Sequence, residues 1–341
     1  MKTTVFFIAL IVALTALSLN AQECIVVQEG EDITVYYTTC LDQAINEASP
    51  DAVVYLSGGV FSFCNSATVI DKKLQFIGAG YNPMGVVATE PTSISNTIKV
   101  VAGGDGTAFI GMKFAILNGA ADDIVVWRCY FTKIESDANI DGWMIDECIF
   151  NEISGTATKK LTNFSISRCI STFVTGSQTF YTFRHLNNSI INNCLFLNSV
   201  TSRLDNSHNN NLSNNLFHLQ SYFFNTSNSN RTYNNLLTTY TQISSTDNVD
   251  ANSLTNENIH NHLEMHAQNS NHSFTADYHL KDDSAGKDYG TDDTDIGIYG
   301  TILPFKDDAV PFNPHIEQAI LANKSVNGGI QVKIKVRAQE R

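Results

Sequence analysis

The chain has 341 residues, 34 of them acidic and 21 basic, for a formal net charge of −13. That balance rules against a nucleic-acid partner, which needs a basic footprint, and gives no attraction to anionic lipid. An anionic polysaccharide would be repelled globally unless a local basic patch or a metal ion offset the field.

At the N-terminus, Lys2, the apolar run Val5–Leu19 and the small residue Ala21 form a secretory signal peptide over residues 1–21. The run is shorter than the ~20 apolar residues a membrane span needs, and no other segment offers one. The expectation is a secreted or cell-surface protein with no span after cleavage. Seven cysteines are an odd count, so at least one is unpaired. Cys24, Cys40 and Cys64 sit together near the start, and one disulfide among them is expected, with the pairing open.

Leu41, Ala44, Ile45 and Ala48 fall at helical spacing, which predicts an amphipathic helix over 41–48. A strand over 51–56 and a glycine turn before Val60 and Phe61 follow. The remaining four cysteines carry a repeat. Val126-Trp127-Arg128-Cys129-Tyr130-Phe131 matches the segments around Cys148, Cys169 and Cys194, and the pattern continues with asparagine at Asn215 and Asn235. From Met112 the intervals are 17, 19, 21, 25, 21 and 20 residues. Units of that length with period-2 apolar positions mean stacked coils that cannot bury their inner faces alone. The prediction is an all-β fold: a right-handed parallel β-helix, or solenoid, over residues 22–302, with an N-terminal capping helix.

Each repeat position then has a physical role. The apolar residue, the Cys/Asn and the Phe point inward and stack on the next coil. Buried cysteines there read as compact core side chains rather than a metal or redox site, and the asparagines as amides satisfying one another. The residue before the Cys/Asn marks a sharp turn. It is Gly78, Gly111, Asn193, Asn214 or Asn234 in five coils, and Arg128, Glu147 and Arg168 in three, where alternating charges predict a surface salt-bridge ladder of small value. The residue after the Cys/Asn faces outward, and Tyr130, Ile149, Ile170, Leu195, Leu216 and Leu236 make a contiguous apolar stripe that calls for a cover. The expected cover is the protein's own C-terminus, or else a protein partner.

That C-terminus changes composition after Gly300. Leu303-Pro304-Phe305 and Val310-Pro311-Phe312-Asn313-Pro314 read as a stiffened connector. Ile330, Val332, Ile334, Val336 and Ala338 then alternate with polar residues, as in the second strand of a hairpin. Residues 303–341 are therefore expected to form a connector and a C-terminal β-hairpin packing on the helix.

The helix at 41–48, the Val53–Leu56 strand, Gly58-Gly59-Val60-Phe61 and Leu74-Gln75-Phe76-Ile77-Gly78-Ala79-Gly80-Tyr81 together resemble the opening of the pectate-lyase-like β-helix superfamily. Asp295-Ile296-Gly297-Ile298-Tyr299-Gly300 resembles the closing coil of bacterial right-handed β-helix repeat proteins, and the tail resembles those of secreted proteins of Bacteroidetes type. The resemblance covers roughly residues 38–300. It implies the fold, but the superfamily spans lyases, hydrolases, esterases, adhesins and proteins of no known activity.

For a lyase of that kind, the resemblance implies carboxylates holding Ca²⁺ and an Arg or Lys base on adjacent coils. The stripe carries no such set. Elsewhere, Asp122, Asp123, Asp141, Asp146 and Glu147, with Arg128 and Arg168 near by, are the candidate Ca²⁺ and base cluster; the other reading is a solvated charged face. Arg184, His185, Arg203, Asp205 and His208 form a second group. His260, His262 and His266 have a spacing compatible with a metal, and Asp292, Asp293 and Asp295 are either a Ca²⁺ loop or a capped turn. No cofactor is expected beyond optional Ca²⁺. The favoured expectation is a non-catalytic protein that binds glycans or other surfaces or serves as a structural module; the alternative is a polysaccharide lyase or glycoside hydrolase with a divergent site.

Overall fold

The computed structural model describes residues 23–86, 90–172, 181–197, 202–218, 222–237, 247–255, 257–265, 272–310, 315–326 and 329–337. The expected leader at residues 1–21 and residues 311–314 of the expected connector lie outside them.

The fold is nearly all β, a parallel solenoid of about 9 turns. One sheet stacks the short strands Val53–Leu56, Gln75–Ile77, Ala108–Ile110, Val125–Trp127 and their successors to Val249–Ala251. A second sheet runs from Gly59–Phe61 to Leu254–Thr255, and a small third sheet joins Ile140–Asp141, Leu161–Thr162 and Leu186–Asn187. Strand β1 (Ile25–Glu29) and strand β2 (Asp32–Tyr36) form an antiparallel hairpin, and β1 also pairs antiparallel with Val53–Leu56. With the helix Asp42–Glu47, this hairpin caps the first coil. The helix matches the sequence prediction; the hairpin was not foreseen. The disulfide joins Cys40 to Cys64, which leaves Cys24 free.

The inner ladders stand where the repeat places them. Val126, Ile145, Ile166, Ile191 and Leu212 are fully buried, as are Cys129, Cys148, Cys169 and Cys194. Phenylalanines stack face to face, with Phe114–Phe131, Phe131–Phe150 and Phe196–Phe217 centroids 5.4, 5.6 and 4.5 Å apart. Each such side chain contributes about 1.5–3 kcal/mol on burial.

The cysteine ladder is also a hydrogen-bond ladder. The backbone N–H of Cys129 donates to Cys148 Sγ, that of Cys148 to Cys169 Sγ, and that of Cys169 to Cys194 Sγ, each at 3.4 Å. The Cys194 N–H donates to Asn215 Oδ1 at 2.8 Å and that of Asn215 to Asn235 Oδ1 at 2.9 Å. Sulfur and amide oxygen thus accept the same orphan donor at a corner where the strand pairing is interrupted. This is why Cys and Asn interchange along the repeat. A second ladder at the opposite corner repeats the device with Ser189, Asn210, Asn230 and Asn248.

The corner residues Arg128, Glu147 and Arg168 adopt φ of 50°, 50° and 49°, like Asn193, Asn214 and Asn234. A left-handed backbone costs such residues about 1–2 kcal/mol, so their side chains must return something. The expected exposed charge ladder is not what forms. Arg128 Nε donates to Glu147 Oε2 at 3.0 Å with both side chains buried, and Arg168 pairs with Asp146, not Glu147.

The reason is the polypeptide that covers them. After the last coil the chain folds back along the outside of the solenoid: Phe274 lies against Tyr81 and Tyr130 of the first coils, Tyr289 is again beside Asn234, and from there the chain runs towards the N-terminal end. Asn234 Nδ2 donates to the Tyr289 carbonyl at 2.8 Å, Asn214 Nδ2 to Thr291 Oγ1 at 3.0 Å, and Asn193 Nδ2 to the Gly297 carbonyl at 3.2 Å. Arg168 Nη1 holds the Leu303 carbonyl, and Arg128 Nη1 holds that of Val310 at 2.8 Å. One corner of successive coils is a rail that grips this strap. Ile259, Leu263, Tyr278, Leu280, Ile296, Ile298, Phe305 and Ala309 of the strap bury the stripe residues Ile149, Ile170, Leu195, Leu216 and Leu236. Gly297 makes the closest approach: its φ is +92°, and a Cβ there would lie 2.3 Å from Leu216 Cδ1.

Two expectations change accordingly. Residues 295–300 are part of the strap, not a closing coil. Among the described residues the cover comes from 257–263 and 276–309; it includes Phe305 and Ala309 of the expected connector and begins well before it. The hairpin does form, from His315–Val326 and Gly329–Arg337 in antiparallel pairing, but Ile334 and Val336 are 53% and 58% exposed.

Candidate functional site

The stripe position can be followed upstream of Tyr130 through the strand register. Tyr130 pairs with Lys113, Lys113 with Ser93, and Ser93 with Val60. These four positions are equivalent to the aliphatic ones downstream, yet no aliphatic run continues, and the strap reaches the row at Phe274 without burying it. Val60 and Lys113 are exposed and Ser93 and Tyr130 half-buried.

A cleft of about 360 Å³ opens here, lined by Val60, Tyr81, Glu90, Ser93, Lys113, Tyr130 and Phe274, with Gly59, Pro83 and Pro91 at its margins. Three rings form one wall. Tyr81–Tyr130, Tyr81–Phe274 and Tyr130–Phe274 centroids lie 6.0, 6.2 and 6.5 Å apart. Lys113 Nζ sits 5.3 Å from the Tyr130 ring centroid, within cation–π range. Tyr81 arrives from Gly80, whose φ is +124° and whose missing Cβ leaves room for Val86 and the Ala309 carbonyl. Phe274 comes from the strap, so the cleft joins the first coils to the far end of the chain. Burial pushes both the Tyr81 and Tyr130 phenols above the ordinary tyrosine value, and both stay neutral. The Tyr81 hydroxyl is buried with no hydrogen-bond partner among the described residues.

This set suits a ring-shaped ligand with one apolar face and a polar rim. Aromatic walls stack on the apolar face, while Lys113, Ser93 and Glu90 offer a donor, a mixed group and an acceptor. Among the described lining residues Glu90 is the one carboxylate; glycoside hydrolysis uses two.

The sequence candidates lie elsewhere and separate into two places. Asp122 and Asp123 precede the strand Val125–Trp127 and Arg128 follows it, so they occupy opposite corners with the whole strand, about 10 Å long at 3.3 Å per residue, between them. Asp122 and Asp123 are exposed, Asp122 accepting the Asp141 N–H at 2.8 Å. On the other corner, Asp146, Glu147, Arg128 and Arg168 are spent on the buried pairs and on the strap. The six residues do not share a groove.

Below Asp141 the same outer edge continues as Thr162, Asn187, His208 and Asn228, beside a shallow polar groove of about 470 Å³ that Lys160 also lines. Arg184 pairs with Asp205, whereas Arg203 is fully buried over the Phe196 and Phe217 rings. His262 bonds Ser284 and Glu257. His260 lies edge-on to His218, and His266 falls outside the described residues. Asp295 pairs with Lys287 and Asp292 accepts from Thr294 Oγ1, the arrangement of a capped turn. Cys40, Asp42 and Cys64 place ligand-type atoms within 4.8 Å of one another, but the two sulfurs are joined as the disulfide, and Asp42 accepts the N–H groups of Cys64 and Asn65.

In the sequence Tyr130 stands as the first stripe residue, and Tyr81 as the end of a loosely matching repeat segment and part of the resemblance. The usable signal was the break in the stripe: carried upstream, the same position reads Lys113, Ser93 and Val60. No family model matches the chain, and no curated protein is significantly similar to it.

Proposed function

We propose that this is a secreted or cell-surface protein that binds glycans without turning them over, with a sugar ring seated against Tyr81, Tyr130 and Phe274. The observation that carries the reading is the open aromatic cleft, with a lysine over one ring and a single lining carboxylate. The leader at residues 1–21 and the resemblance to pectate-lyase-like proteins of Bacteroidetes type agree with an extracellular site of action. Pyranose C–H faces stack on aromatic rings, which offer large apolar faces with a polar handle at the tyrosine hydroxyl. Lys113 supplies a local positive charge in the cleft for an anionic sugar, against the field of an acidic chain.

The test is a screen of the purified protein against neutral and anionic polysaccharides, with and without Ca²⁺. Retention and the absorbance of unsaturated products are followed together. Retention without product, weakened at least tenfold by Tyr130→Ala, is expected. Product formation would overturn the non-catalytic reading in favour of a lyase. Retention that survives Tyr130→Ala and Lys113→Ala would remove the cleft as the site.

A further inference from the structure

Strand β2 is the outermost strand of the twelve-stranded sheet and among the described residues pairs with β1 alone. Asp32 to Val35 are exposed, Ile33 at 64% and Val35 at 43%, and Tyr37 just beyond at 70%. Sheet edges are usually protected by lysine, proline or a bulge. Here the apolar side chains alternate along an open edge, and the charges at the hairpin are acidic: Glu29, Glu31 and Asp32.

At the other end of the chain is its counterpart. Among the described residues the C-terminal hairpin pairs only with itself, and a lone two-stranded hairpin is marginal in water. In its second strand Ile330, Val332, Ile334 and Val336 alternate with Gln331, Lys333, Lys335 and Arg337. That pattern demands a buried face, yet Lys333 to Val336 are all exposed. Charge is segregated between the two ends. Residues 23–51 contain seven carboxylates and no lysine, arginine or histidine, whereas residues 315–337 contain four lysines and arginines against one glutamate.

We infer that the C-terminal hairpin of one copy adds to the free β2 edge of a second copy of this chain. Main-chain hydrogen bonds extend the sheet. Ile33 and Val35 meet the aliphatic face of the incoming strand, and Glu31 and Asp32 meet Lys333 and Lys335. Because the two surfaces differ, the contact is head-to-tail and builds chains of copies. The inference does not depend on what the cleft binds.

The experiment is light scattering of the purified protein across a concentration series, at low and high salt. Mass should rise with concentration and fall with salt. Glu31→Lys/Asp32→Lys and Lys333→Glu/Lys335→Glu should each weaken self-association at least tenfold, leaving monomers with unchanged circular dichroism. Mixed together, the two variants should associate again, since each reversed edge meets a reversed hairpin. A wild-type protein that stays monomeric at every concentration, including one whose hairpin docks on its own β2, overturns the proposal. So do variants that assemble as the wild type does, or a mixture that fails to recover.

Discussion

From Ile149 to Leu236 the outward position after the Cys/Asn corner is aliphatic and roofed by residues from Ile259 and Leu263 to Phe305 and Ala309; at Val60, Ser93, Lys113 and Tyr130 the same position lines an open cleft. The backbone is equivalent in both stretches, because parallel register copies it from coil to coil. What differs is the overlay. Where the strap passes, the side chains read as a second hydrophobic core. Where it leaves, the same row turns polar and aromatic and a cleft remains. A solenoid therefore supplies a repeated row of outward positions, and a non-repeating segment decides which of them become core and which become surface.

The sharpest way to break this contrast is to loosen the rail. Arg128→Ala removes the grip on the Val310 carbonyl and leaves the buried Glu147 without its counter-charge, which costs about 3–5 kcal/mol. Urea unfolding should show that loss, together with new dye-binding surface along the stripe. An unchanged midpoint would mean that the strap does not depend on the corner side chains.

A matched pair of substitutions sharpens it at lower cost. Leu216→Ala, under Gly297, should destabilise by about 2–4 kcal/mol, as buried leucines do. Lys113→Leu makes the open stretch resemble the covered one and should change stability by less than about 0.5 kcal/mol while weakening glycan retention. Equal effects of the two on stability would erase the distinction between core and surface.

The smallest expected effect is acid sensitivity confined to the strap. Burial pushes His272, on the strap, and His218, at its seam with the coils, down to about 4 from the ordinary 6.5. The folded state therefore favours neutral imidazole. Its contribution is complete above about pH 6.5 and is lost as pH falls towards 4. Hydrogen exchange should show residues 272–310 opening before the strands around Cys148 as pH is lowered. Simultaneous opening would mean that strap and coils form one cooperative unit.

Much of the fold was legible because it repeats. Cys129, Cys148, Cys169 and Cys194 sit at regular intervals, and regular intervals in a chain with alternating apolar residues leave few architectures. The capping helix was legible from Leu41, Ala44, Ile45 and Ala48. The strap was not, because its anchors join positions 104 and 182 residues apart, as between Asn193 and Gly297 or Arg128 and Val310, and carry no period. The stripe at Ile149–Leu236 announced that something must cover it without saying what. Asp146 and Glu147 looked like surface acids for the same reason: sequence shows a charge beside a turn, but burial depends on what lies above it. The cleft needed Tyr81 and Phe274 side by side, and nothing local links them.

By itself, then, the order of residues determined the coil repeat, the inward ladders, the capping helix and the row of outward aliphatics, since each follows from short-range periodicity and hydrophobic burial. Tertiary structure alone decided the path of residues 257–310, the pairing of Arg128 with Glu147, and the cleft at Tyr130. Those depend on contacts between distant segments, whose free energy is set by shape and desolvation at the meeting point and leaves no mark in either segment read alone.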